Sequence, residues 1–141
     1  MKVDVTRNPT EDDLSLLSHG LRSYNSQHIG HAATEEDVRF AVFARNGSGK
    51  IIGGIRAAAF WGWLHIELLW LEEDVRGAGT GRQLLSAAEA FAMKHGFFHS
   101  RLETTSFQAR EFYEKHGYEV FGELRDLPQG FTSYFMKKAL V

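Results

Sequence analysis

The chain has 141 residues, 16 of them lysine or arginine and 18 aspartate or glutamate, for a formal net charge of −2. Hydrophobic residues make up 43% and charged residues 24%, which excludes intrinsic disorder, and 14 glycines beside 2 prolines follow no collagen-like period. The balanced charge supplies no basic field for nucleic acid, and a chain without cysteine has no disulfide framework, thiolate metal site or cysteine nucleophile.

In chain order, Val3 and Val5 alternate around Asp4 and predict a short strand that Asn8-Pro9 ends. Thr10 then caps a predicted helix carrying Leu14, Leu16, Leu17 and Leu21. The polar stretch from Asn25 to Thr34 reads as a loop. Phe40, Val42 and Ala44 alternate in one strand, Asn46 to Gly49 is a turn, and Ile51 to Phe60 is the returning strand. After Trp61-Gly62 a third strand, Trp63 to Leu71, leads into a glycine-rich bend. A helix follows, with Leu84, Leu85, Ala88, Phe91 and Ala92 at spacings of three and four, and Gly96 closes it. Arg101 to Thr105 is a strand and Ala109 to His116 a helix closed by Gly117. Tyr118 to Leu124 and Phe131 to Lys137 alternate as the last two strands. The expected fold is α+β: one domain over residues 1–141, with a mixed, mostly antiparallel sheet flanked by helices on both faces. No apolar run reaches the ~18 residues that span a bilayer, and Met1 to Val5 is not a secretory signal, so the expected compartment is the cytoplasm, with no membrane partner.

The segment Arg76-Gly77-Ala78-Gly79-Thr80-Gly81-Arg82 joins a strand to a helix N-terminus. Backbone N–H groups converge there, the helix dipole adds positive potential, and glycines admit an anion close to the backbone. Arg76 and Arg82 can donate to phosphate oxygens. A dinucleotide fingerprint fails because its final glycine falls on Arg82, and a P-loop fails because Gly81 is followed by Arg82-Gln83. Gly47-Ser48-Gly49-Lys50 lies between two strands and opens no helix.

What remains, R-x-x-G-x-G at Arg76, Gly79 and Gly81, resembles the acetyl-coenzyme A loop of the GCN5-related N-acetyltransferases (GNAT). A second block, Phe112-Tyr113-Glu114-Lys115-His116-Gly117-Tyr118, is similar to that family's late helix, and the order of elements agrees over almost the whole chain. The resemblance implies a GNAT-like acyl-CoA N-acyltransferase fold and an acetyl-CoA co-substrate bound through residues 76–82. It further implies main-chain contacts from Leu69 and Leu71 on a strand that splays from its neighbour, and passage of the pantetheine arm beside Ala109. Ser106 and Gln108 stand where the family often has a polar residue on the cofactor. Tyr113 matches the tyrosine commonly assigned to the departing thiolate. Tyr24, Asn25 and His28 follow the first helix, where the family often borders its acceptor pocket.

Acetylating an alkylamine needs a base, because the amine is protonated near pH 7. In the third strand Leu64, Ile66, Leu68 and Trp70 share one face, and Trp63, His65, Glu67, Leu69 and Leu71 the other. Glu67 is the first candidate base and His65 the second. The competing role for Glu67 is an ion pair with Arg56 or Arg101. For Tyr113 it is core packing beside Phe112 and Tyr118. His28 and His31 stand three apart with no evident third ligand, so no metal site is expected, and His95 and His116 sit at helix ends. Trp61 and Trp63 are either anchors of a homodimer interface or edge packing. The expected activity is direct acetyl transfer to a small-molecule primary amine. The alternatives are a protein or peptide acceptor, or a coenzyme A sensor without turnover.

Overall fold

A computed structural model describes residues 1–30 and 37–141, which fall into two units, Met1–Glu35 and Glu36–Val141. In the first, helix α1 spans Glu11–Ile29, and the Thr10 hydroxyl accepts from the Asp13 N–H at 3.1 Å. Glu11, Asp12 and Asp13 in the first turn complement the dipole. The predicted strand at Val3–Val5 does not form, since alternation alone makes no strand without a partner edge. The loop expected from Asn25 is helical up to Ile29: Asn25, Ser26 and Gln27 contain no breaker, and the turn stops only at Gly30 with φ 55°. His31 and Thr34 lie outside the described residues.

The second unit holds strands β1 (Val38–Arg45), β2 (Ile51–Phe60) and β3 (Trp63–Leu71), helix α2 (Thr80–Lys94), and strand β4 (His99–Thr105). It ends with helix α3 (Arg110–Lys115) and strands β5 (Glu119–Arg125) and β6 (Thr132–Ala139). The sheet order is β1-β2-β3-β4-β6-β5, antiparallel throughout except for the parallel pair β3–β4. The expected mixed, mostly antiparallel architecture is what forms. Helix α2 turns Leu84, Leu85, Ala88 and Ala92 into a core with Ile55, Leu64, Ile66 and Met136.

The apolar core also encloses one charged group. The Glu89 carboxylate accepts from Lys138 Nζ at 2.9 and 3.1 Å and from the Tyr118 hydroxyl at 2.9 Å. The Tyr118 hydroxyl in turn lies 2.7 Å from Ser100 Oγ. This network ties α2 to β4, to β6 and to the chain just after α3. Burial and the adjacent Glu89 carboxylate push the Tyr118 phenol far upward, so it stays a donor. Glu89→Ala strands the ammonium and the phenol together and should lower unfolding stability by about 2–3 kcal/mol. Denaturant melts would show it as a lower midpoint at unchanged slope.

Strand β3 departs from simple alternation. Arg56 pairs with Leu68 but Ala57 pairs with Ile66, so Glu67 is the extra residue of a β-bulge. A bulge inverts the facing of everything beyond it. Leu64 and Ile66 are buried as expected, whereas Leu68 is 45% and Trp70 49% exposed. Leu69 and Leu71 take their place against the core. The expectation that Leu68 and Trp70 continue the apolar face, with Leu69 and Leu71 opposite, is therefore corrected.

Candidate functional site

The bulge sits where two strands part. Parallel pairing of β3 with β4 runs from Trp63↔His99 to Ile66↔Leu102 and stops there. Beyond Ile66 the β3 backbone pairs with no strand on its β4 side, and the sheet opens into a cleft. The splay implied by the family resemblance is present at its expected place.

A cavity of about 650 Å³ follows the open edge. Leu69, Trp70 and Leu71 form one wall, with Arg76, Gly77, Gly79, Gly81 and Arg82 at one end and Phe107, Gln108, Ala109, Phe112 and His116 opposite. The loop is braced from within, since Arg76 Nε donates to the Leu71 carbonyl at 3.3 Å. Gly77 and Gly79 each have φ 83°, a left-handed conformation that a side chain resists. Gly81 is different. It lies inside α2, and a Cβ there would come within 3.2 Å of the Phe112 ring, so this glycine serves helix packing and not a positive φ.

Helix α2 has no side-chain cap and no acidic residue in its first turn. Its first bond runs from the Gln83 N–H to the Gly79 carbonyl at 3.1 Å, leaving the N–H groups of Thr80, Gly81 and Arg82 without carbonyl partners. Three free donors, a positive dipole end and two flanking arginines fit a diphosphate. The unpaired β3 edge fits the amides of a pantetheine arm. Ala78, in the loop, and Thr80, the first residue of α2, do not line the cavity. Ser106 is committed elsewhere: its N–H donates to the Thr132 carbonyl at 2.8 Å, and its hydroxyl accepts from the Thr132 N–H at 3.1 Å. Gln108 is the polar residue that reaches the cavity. The sequence reading missed Trp70, Phe107, Phe112 and His116 as lining residues. Helical spacing from Ala109 through Phe112 to His116 is the signal that could have placed the last two.

A second cavity, about 350 Å³, is lined by Arg56, His65, Ile66, Glu67, Glu103, Thr104, Thr105 and Gln108. Gln108 borders both cavities. Its carbonyl accepts from the Thr105 N–H at 2.9 Å and the Thr104 hydroxyl at 3.3 Å, which leaves its amide N–H groups to a ligand. Thr105 Oγ1 is buried with no hydrogen-bond partner among the described residues. Glu67 Oε1 lies 3.2 Å from Arg56 Nε, the ion pair weighed as its competing role. His65 is held below its ordinary value, first by burial and then by Arg101, against the opposing pull of Glu67 and Glu103. Its imidazole is neutral at pH 7.

Tyr113 is 6% exposed and packs in the core, its ring edge-on to Phe112 and to Tyr118. Burial raises its phenol to about 12. Tyr24, Asn25 and His28 stand on α1 in the first unit, where the Tyr24 and His28 rings stack at 4.5 Å and His28 Nδ1–H donates to the Tyr24 carbonyl. No metal-ligating cluster occurs among the described residues. No described helix is long and apolar enough to cross a membrane.

Residues 9–118 match the profile of the family described as Acetyltransferase (GNAT) family. The chain is 39% identical over 102 residues to a blasticidin-S acetyltransferase of Streptomyces morookaense, covering 72% of this chain and 75% of that one. An acetyltransferase crystal structure from Bacillus cereus superposes with a TM-score of 0.88 at 33% identity, over 97% of this chain and 98% of that chain. A protein from Bacillus anthracis, assigned as a streptothricin acetyltransferase and crystallised with acetyl coenzyme A, shares the fold at 21% identity and a TM-score of 0.66, over 75% and 64% of the two chains.

Proposed function

The chain belongs to the GNAT family of acetyltransferases, and from that premise we propose that it moves an acetyl group from acetyl-coenzyme A directly onto a primary amine of a small molecule, in the cytoplasm. The observation that carries this reading is the meeting of two cavities at one cleft. One offers an anion cradle and an open strand edge, the other a neutral imidazole, and Gln108 borders both. The relative named for blasticidin-S supports a small-molecule acceptor.

Acetyl-coenzyme A supplies an activated thioester when bound. Thr80, Gly81 and Arg82 hold its diphosphate through backbone N–H groups, with Arg76 and Arg82 beside them. Leu69 and Leu71 hold the arm along the open edge of β3, next to Ala109. The acceptor attacks the carbonyl as its free amine, and His65 takes the proton that the nitrogen sheds as the C–N bond forms. Glu67, paired with Arg56 at 3.2 Å, serves instead as a counter-charge for the nitrogen as it becomes cationic. The Tyr113 hydroxyl donates a hydrogen bond to the departing thiolate. Full proton transfer from a phenol near 12 to a thiolate near 8.5 would run uphill by roughly 4–5 kcal/mol, so stabilisation of charge is its role.

Two measurements test the reading. Acetyl-coenzyme A incubated with a panel of amines should give acetylated product by mass spectrometry, with intersecting initial-velocity lines for a ternary complex. Parallel lines would establish an acyl-enzyme and overturn direct transfer. Gly79→Val should abolish detectable coenzyme A binding by calorimetry, because a β-branched residue resists φ 83° and the cradle must rearrange. Wild-type affinity in that variant would remove the loop from the cofactor site.

A further inference from the structure

A third cavity, about 430 Å³, lies further along the same sheet and is lined by Phe60, Trp61, Trp63, Arg101, Phe121 and Lys137. Three features of its construction run against the needs of the fold alone. Trp61 has φ 51° and Gly62 φ 83°, so the β2–β3 hairpin turns through a conformation that favours Asn-Gly and places a tryptophan at its first position. That indole is 54% exposed. Phe121 is the extra residue of a bulge in β5, since Val120 pairs with Met136 and Gly122 with Phe135, and its ring is left exposed. Arg101 and Lys137 are direct cross-strand partners, like charges side by side. Glu119 stands opposite Lys137 on β5, yet neither cation forms an ion pair with a carboxylate among the described residues. Lys137 Nζ instead sits 5.9 Å from the Phe121 ring centroid.

Two adjacent cations framed by aromatic walls are complementary to one kind of occupant: a flat, π-rich group carrying negative charge. The position joins this cavity to the chemistry. Arg101 is the parallel-register partner of His65, one strand spacing away (~4.8 Å), and Trp63 stands four residues before Glu67 on β3, about 13 Å along the strand. We propose that this cavity binds the planar, anionic part of the amine acceptor, an aromatic carboxylate held between Trp61, Trp63 and Phe121 with its charge on Arg101 and Lys137, while the amine reaches His65. The inference rests on the acetyl-transfer reading for the identity of the ligand, but the site itself is tested without turnover.

Indole-3-carboxylate, which has no primary amine, is the probe. Calorimetry should show it binding to the wild-type chain, with indole and cyclohexanecarboxylate each at least about tenfold weaker, since each lacks one half of the recognition. Lys137→Ala and Arg101→Ala should each weaken the probe about tenfold. Trp61→Asn should weaken it similarly while raising Tm, because asparagine relieves the left-handed turn. A purely structural tryptophan would not separate those two readouts. No binding at millimolar probe, equal affinity for the three compounds, or variants that bind like wild type would each overturn the site. In turnover, Lys137→Ala should raise KM for 4-(aminomethyl)benzoate with kcat retained. If the probe binds as described and no amine is acetylated, the transfer reading fails and the site stands. If amines are acetylated and the probe does not bind, the site alone fails.

Discussion

Tyr113→Phe is expected to lower kcat by about 10²–10³-fold while leaving coenzyme A affinity near wild type, the range for removing one preorganised donor to a developing anion. The ring stays and only the hydroxyl is lost, so packing against Phe112 and Tyr118 is preserved. The loss belongs in kcat because thiolate charge exists only near the transition state. Burial raises the phenol to about 12, so it is a donor across the neutral range and its loss should not move the pH profile in that range. A change confined to KM, or full activity with unchanged stability, would return Tyr113 to a packing role.

His65→Gln is expected to lower kcat/KM by about 10²–10⁴-fold, the usual contribution of a positioned base. Its pH dependence carries the sharper test. Burial and Arg101 depress the imidazole below 6.5, so the neutral, proton-accepting form persists below that value. The acidic limb that His65 adds to wild-type kcat/KM should have its midpoint below 6.5. His65→Gln should lose that acidic limb together with most of its rate. Glu67→Gln should lose less, because its carboxylate is already engaged by Arg56 at 3.2 Å. A larger loss in Glu67→Gln than in His65→Gln would reverse the two roles.

Local signals in the sequence were enough for the order of elements in the second unit, the glycine-rich junction from strand to helix at Arg76 to Arg82, and the helix with Tyr113. Each depends on residues within a few positions of one another: an apolar period, a glycine that stops a helix, arginines beside a turn. The same kind of signal fixed the start of α1, through Thr10 and Asp13. It failed at Val3–Val5, which have no partner strand, and at Asn25–Ile29, where polar residues remain helical until a glycine intervenes. Tertiary structure decided the rest. The bulge at Glu67 arises from the register of β3 on β2, a relation between distant residues that alternation within β3 cannot contain. It exposes Leu68 and Trp70 and brings Leu69 and Leu71 to the core. The pairing of Glu67 with Arg56, eleven residues away and adjacent only across the sheet, is likewise set by tertiary structure. Side-chain facing follows local period only while strand pairing stays regular, and the cleft forms where that pairing ends.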